Sequence, residues 1–328
     1  MMRAKLLRFT PMALITLAIA AGPLFIDDRY LLKVLTFVAI NVVIVTGMAL
    51  LFGYAGQISM GHAAFYGIGA YASGYATTTL GLPWIVGLFA AIVFSAVGGV
   101  LLALPSLRLK GHYLAMATLG FGELMKIAFI EAQPITGGPD GLGGIPYPRI
   151  GSFEMAAPVG TYLLAWGIAG LVLLLVRNVV TQRPGRAMRA LHGSELGAMA
   201  CGIDIVGLKV RVFTVSAVLA GIAGSLYAHL VGFVSPSTFS LHLSVILIAM
   251  AVVGGSGSLA GPAIAATLLT LVPFADAIIP GLSRDALALI QDWEADVYGL
   301  IIILVMLFAP GGVSGFMRRR RAVARDAS

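Results

Sequence analysis

Eight apolar runs constrain this chain more than any other feature: Pro11–Ile26, Lys33–Phe52, His62–Leu80, Trp84–Leu104, His112–Ile130, Pro158–Val176, Val212–Phe233 and Val297–Phe316. About 20 mostly apolar residues in a helix match the hydrocarbon thickness of a bilayer. Backbone groups in lipid must be satisfied within the segment, so such runs predict membrane-crossing helices. The charge content agrees. Asp, Glu, Lys and Arg make up 11% of the 328 residues, against about 25% in a soluble domain. So few charges cannot cover a water-facing surface. A soluble enzyme, a disordered chain and a nucleic-acid binder are excluded. The net charge of +7 does not reopen the last, because the basic residues sit in clusters between apolar runs.

A further run, Ser244–Pro280, is too long for one crossing and is interrupted at Gly254–Gly261. Charge placement sets how often it crosses. Arg3, Lys5 and Arg8 precede the first run, and Arg318, Arg319, Arg320, Arg321 and Arg325 follow the last. The positive-inside rule puts both ends in the cytoplasm and demands an even number of spans. Two crossings, Ser244–Val253 and Ala260–Pro280, give ten. Arg108, Lys110, Arg177, Arg183, Arg186, Arg189, Lys209 and Arg211 then also face inward, so that 16 of the 21 Lys and Arg residues are cytoplasmic. Arg3 to Arg8 followed by Ala18-Ile19-Ala20 also fits a cleavable signal peptide. Cleavage would leave nine crossings in the same orientation; an uncleaved first helix is the expectation. The reading is an all-α polytopic membrane protein with about ten (nine to ten) transmembrane helices in a single domain over 1–328. Its external loop covers 132–157, its cytoplasmic loop 177–211, and a basic cytoplasmic tail 317–328.

Two Gly-rich interruptions, Gly53–His62 and Gly254–Pro262, each follow an inward span and precede an outward one. Broken helices persist in a membrane only where protein or a water-filled cavity surrounds them, and paired interruptions point to a transport path. Tight turns between closely packed helices are the alternative. Gln57, Ser59, His62, Ser256 and Ser258 are the path candidates they offer. Glu123 and Lys126 join them, because two charges three residues apart within a span share a helix face and belong in a bundle interior or cavity. An internal ion pair that fixes helix positions is the other reading. The loop Gln133–Pro158 is too rich in Gly and Pro to span; it is a connector or a rigid docking surface, with Gly137, Gly138 and Asp140 as docking candidates.

Gln182–Asp204 reads as a short amphipathic helix pair between two spans, or as a connector whose basic residues only set topology. Pro184 suits an early helix position, Met188, Leu191, Glu195 and Met199 fall at helical spacing, and Gly202 is a stop. Exposed Met and Leu on such a pair would suit insertion into a partner's groove. No nucleotide site is expected: Gly255–Ala260 matches a dinucleotide fingerprint but lacks the βαβ setting, and Gly202–Lys209 misses the P-loop spacing. The five histidines are scattered without metal spacing, and the single Cys201 forms no internal disulfide.

The runs Gly53–Phe65, Gly111–Leu119 with Phe121-Gly122-Glu123, Thr136-Gly137-Gly138, Gly185–Ala190 and Gly254–Ser258 together make the chain resemble the permease subunits of branched-chain amino acid ABC importers, of the LivM type, from about Lys33 to Arg321. The resemblance implies a bacterial inner-membrane transport subunit, not an enzyme, translocating Leu, Ile or Val. Its expected partners are a second homologous (LivH-like) permease, two cytoplasmic ATPase subunits, a periplasmic substrate-binding protein and membrane lipid, with no nucleic acid. It carries no cofactor; ATP is used by the partners, and no fused ATPase is expected after Arg321. The loop with Arg186, Met188, Arg189, Glu195 and Gly202 resembles the one that docks on the ATPase. Its Glu195-Leu196-Gly197-Ala198 to Gly202 stretch matches the general importer pattern only loosely. A urea or short-amide permease of the same family is an alternative. An ion-coupled secondary transporter with Glu123 as its ion site is one from another class.

Overall fold

The protein is described by a computed structural model covering residues 22–24, 28–106, 109, 111–150, 153–154, 158–277, 293–308 and 311–315. Pro11–Ile26 (apart from Gly22–Leu24), Arg108, Lys110, most of Asp285–Asp296 and both terminal basic clusters lie outside these residues. The main helices are α1 (Arg29–Met48), α2 (His62–Thr78), α3 (Trp84–Ser106), α4 (His112–Glu131), α5 (Val159–Thr181), α6 (Arg183–Gly193), α7 (Glu195–Ala200), α8 (Ile205–Val231), α9 (Leu241–Gly254), α10 (Ala260–Leu271) and α11 (Glu294–Phe308). Five segments among the described residues are long and apolar enough to cross a membrane: α1 with its extension to Tyr54, α3, α4, α5 and α8. Shorter apolar helices accompany them, so the polytopic all-α reading stands. The predicted span Val212–Phe233 begins earlier than expected, at Ile205.

Helices α1 and α8 form the centre. Asp28 caps α1 by accepting from the Tyr30 N–H at 2.8 Å, and 83% of its most apolar window is buried. Asp204 caps α8 through the Gly207 N–H at 3.0 Å, and Gly232, at φ 75°, ends it. Hydrophobicity cannot hold helices together where lipid is equally apolar, so close backbone approach does the work. A Cβ on Gly69 of α2 would lie 2.1 Å from the Gly221 carbonyl oxygen of α8, and one on Gly224 would lie 2.0 Å from that of Tyr66. One turn earlier on the same face of α8, a Cβ on Gly99 of α3 would meet that of Ala217 at 2.8 Å. Helices α3 and α4 lie outside, with windows only 28% and 22% buried. Between their ends the uncovered residues, among them Phe89, Phe94, Met116, Leu124 and Ile127, are apolar, as lipid contact requires.

At one end of the bundle, β1 (Leu142–Gly143) pairs antiparallel with β4 (Phe233–Val234), while β2 (Arg149–Ile150) pairs with β3 (Phe153–Glu154). Beyond β4 the chain does not enter a helix at once. Pro236–Phe239 forms a 3-10 turn that carries Phe239, 2% exposed, among the rings of Tyr66, Tyr71, Phe129 and Tyr227 at centroid distances of 5.6–6.4 Å. Helix α9 starts from this buried turn. With 14 residues it is about 21 Å long, short of a full crossing. The expected start at Ser244 is thus one turn late, and non-helical backbone completes the pass inside protein, where it is tolerated.

Candidate functional site

The other end of the bundle gathers the two Gly-rich interruptions and the α6–α7 pair. Helix α1 widens into a π-helical turn, Ala49–Tyr54, and the chain then leaves helical geometry at Gly56, φ 68°. From there into α2, side chains of three other helices supply partners, while the Gly56 and Gln57 N–H groups bond back to Phe52 and Leu51. The Met60 N–H donates to Thr118 Oγ1 of α4 at 2.9 Å. The Ala63 N–H donates to Ser244 Oγ of α9 at 3.1 Å. His62 bridges Ser59 Oγ at 3.1 Å and Ser216 Oγ of α8 at 2.7 Å. Ser59 and His62 are fully enclosed and Gln57 nearly so, and the first interruption is a tie-point of four helices. His62→Ala removes both bridges and leaves a hole. A loss of about 2–4 kcal/mol is expected, read as a lower unfolding midpoint of the detergent-purified protein, with His62→Gln keeping part of it.

The second interruption is close by: a Cβ on Gly53 would lie 3.7 Å from Ser256 Cα. Ser256 is exposed and Ser258 half-buried. Ser258 Oγ accepts from the Ala260 N–H at the start of α10 at 3.2 Å, and the Ser256 carbonyl accepts from Ser314 Oγ at 3.0 Å. Glu123 and Lys126 are half-buried along α4, next to Gly122, which packs against Gly61. Neither forms an ion pair among the described residues. The structure therefore brings the two interruptions together and sets α4 beside them, without joining the seven path candidates in one wall.

Helix α6 doubles back on α5 because residue 185 is Gly: a Cβ there would sit 1.9 Å from the Val180 carbonyl oxygen. Arg189 Nη1 donates to the same oxygen at 3.2 Å. Pro184 occupies the first turn, as expected. Ser194 separates the two helices and caps α7 through the Gly197 N–H at 3.1 Å. Gly202, φ 75°, ends the pair, its N–H bonded to the Met199 carbonyl at 2.9 Å. One expectation is corrected. Met188 and Leu191 are not displayed; they are 2% and 4% exposed. An amphipathic helix lying across the ends of its own spans buries its apolar face there. Leu196 and Met199 of α7, 74% and 51% exposed, stand outward instead, with Arg186 also exposed. Glu195 is paired with Lys209 of α8, whose side chain is only 10% exposed. His192 packs against Gly56, where a Cβ would meet its Nδ1 at 3.1 Å. The α6–α7 pair thus touches the first interruption directly. Thr118, His192, Lys209, Ser216 and Ser244 were missed from sequence; Lys209, a charge beside an apolar run, was the one with a signal.

At the opposite end, the loop with Gly137, Gly138 and Asp140 is built rather than slack. Thr136 Oγ1 donates to the Phe129 carbonyl at 2.7 Å, the Ile145 N–H to that of Gly232 at 3.1 Å, and His229 Nδ1 lies 2.7 Å from the Pro146 carbonyl oxygen. Asp140 is exposed. A Cβ on Gly137, φ 76°, would reach 2.0 Å from the Gly141 carbonyl oxygen. Gly137→Ala is expected to raise hydrogen exchange through β1 and β4 by about tenfold or more, equivalent to roughly 1–3 kcal/mol of local strain, with α2 and α8 unchanged.

A family profile described as "Branched-chain amino acid transport system / permease component" matches residues 30–309. The chain belongs to this permease family. Within it, the chain is 31% identical to the high-affinity branched-chain amino acid transport system permease protein LivM of Salmonella typhimurium, covering 92% of this chain and 73% of that protein. The LivM protein of Escherichia coli K12 gives the same identity and coverage. The ribose import permease protein RbsC of Haemophilus influenzae is 25% identical over 90% of this chain and 89% of its own length. No solved structure matches the chain at comparable significance. As a permease-family member, the chain is a multi-pass transport component.

Proposed function

We propose that this permease is the LivM-type membrane subunit of an ATP-driven importer for branched-chain amino acids in a bacterial inner membrane. The likeness to LivM over nearly the whole chain carries the reading. On it, the α6–α7 end faces the cytoplasm, as do both termini. Two ATPase subunits dock on α6–α7 and hydrolyse the ATP; this chain binds no cofactor. A periplasmic binding protein delivers the amino acid at the loop around Gly137, Gly138 and Asp140, and a second, LivH-like permease completes the path. Glu123 and Lys126 lie along that path on α4, beside the first interruption. Arg186, Leu196 and Met199 supply the cytoplasmic contact, with Arg189, Glu195 and Gly202 shaping it. A nucleotide-driven change acts only through contacts that differ between states, and α6–α7 is the element built to sense one.

The ribose permease among the relatives favours a second reading, import of a small sugar through the same machinery. The assembled complex, reconstituted in liposomes with its binding protein, decides between them. ATP-dependent uptake of leucine, isoleucine and valine that ribose does not compete supports the first reading, and ribose uptake the second. Uptake that collapses with an ionophore while ATP is maintained would favour an ion-coupled transporter instead.

A further inference from the structure

Between α6 and the ends of α1, α5 and α8 lies a groove of about 340 Å³. Its floor is apolar, formed by Leu50, Met188, Leu208 and Val212, and it opens sideways past Val179 and Val215. Those two valines are 40% and 43% exposed on the outer sides of spanning helices, so the opening meets the acyl region of a bilayer rather than water. Arg183 and Arg211 stand at its rim. Both are exposed, and neither has a hydrogen bond or ion pair among the described residues. Asp204 also lines the groove, but its carboxylate is engaged as the cap of α8.

We propose that this groove is a binding site for an anionic phospholipid. One acyl chain lies against Val179, Ala187, Ile203 and Val215 above the buried floor, and the phosphate sits between Arg183 and Arg211. Two guanidiniums against the one carboxylate of Asp204 leave the rim net positive, and guanidinium forks match phosphate oxygens. An apolar slot that opens into the bilayer beneath a positive rim fits an amphiphile with a negative head. A free phosphate would leave the slot unfilled, and a neutral lipid would leave the arginines unpaired. Basic pockets between spanning helices at a membrane surface are known to hold anionic headgroups. The occupant would wedge α6 against α8, and thus sit under the element read above as the coupling pair. The lipid assignment rests on the groove alone and does not depend on the transported substrate.

The test is retention of phosphatidylglycerol against phosphatidylcholine by the purified full-length chain, measured by native mass spectrometry after equilibration with mixed micelles. Each of Arg183→Gln and Arg211→Gln is expected to lower phosphatidylglycerol retention about fivefold, and the pair about 25-fold. Both positions are exposed, so folding is preserved, which is checked by elution profile. Ala187→Trp fills the slot from its α6 wall without altering charge, and is expected to reduce retention comparably. Glycerol phosphate in excess should not displace the lipid. Equal retention of the two lipids by the unaltered chain would overturn the proposal. So would unchanged retention in the double arginine variant. Full retention in Ala187→Trp, or displacement by glycerol phosphate, would reduce the site to a phosphate contact and overturn it as a lipid site.

Discussion

Gly69→Ala and Gly224→Ala are each expected to prevent recovery of a folded, monodisperse protein, whereas Gly120→Ala and Gly167→Ala leave it intact. The four substitutions add the same methyl group to helices, so the contrast isolates packing. At Gly69 the new carbon falls 2.1 Å from the Gly221 carbonyl oxygen and 2.4 Å from its Cα. At Gly224 it falls 2.0 Å from the Tyr66 carbonyl oxygen and 2.8 Å from the Ala70 nitrogen. All of these are backbone atoms, which cannot rotate aside. Helices α2 and α8 must therefore separate by more than 1 Å along their most intimate contact. Overpacking costs about 1–3 kcal/mol where side chains can yield; rigid backbone raises this to at least about 3 kcal/mol. The separation also pulls on the His62–Ser216 bridge, since both partners ride on these two helices. Nothing lies within 4 Å of a Cβ on Gly120 or Gly167, and alanine there gains up to about 1 kcal/mol of helix propensity. Fluorescence-detected size exclusion and thermal midpoints on the isolated chain read the difference. A Gly69→Ala protein as stable as Gly120→Ala would show that α2 and α8 are not packed as described.

The spanning helices were legible because length and hydropathy are local properties: α1, α3, α4 and α5 start within four residues of the expected positions. The Gly-rich interruptions were legible too, since each sets Gly and small hydroxyl residues between two apolar runs. What sequence could not supply was partnership. The periodicity of Met188 and Leu191 shows an apolar face on α6, but not whether that face is covered by its own chain or by another. Two-residue strands such as β1 and β4 have no periodicity to read, and their pairing spans about 90 residues of chain. The turn at Pro236–Phe239 carries no local signal of burial, because its shelter is a ring of aromatic side chains drawn from α2, α4 and α8. His62 was singled out as a path candidate by its place in a Gly-rich motif; that its two ring nitrogens bridge Ser59 and Ser216 depends on helices 154 residues apart in sequence.

Lys209→Met and Glu195→Gln are each expected to cut ATP-dependent uptake at least tenfold in the assembled transporter, with the charge swap Glu195→Lys/Lys209→Glu recovering part of it. Lys209 lies in the first turns of α8, with its side chain 10% exposed, and its carboxylate partner on α7 is 24% exposed. Removing Glu195 takes this carboxylate from the nearly buried Lys209 ammonium, and breaking a fully buried pair in that way costs about 3–5 kcal/mol. Partial exposure of Glu195 lets water offset some of this, so about 1–3 kcal/mol is expected for Glu195→Gln. That loss falls on one joint. The pair is an ion bond between α7 and the spanning bundle, and α7 also carries the outward Leu196 and Met199. With the joint loosened, a push on those side chains moves α7 alone instead of turning α8. The expected signature is ATPase association that persists while hydrolysis no longer responds to the loaded binding protein. A merely structural role would lower the amount of assembled complex and leave uptake per complex unchanged. Uptake normalised to assembled complex therefore separates the two, and an unchanged normalised rate in both single variants would remove the Glu195–Lys209 pair from the coupling route.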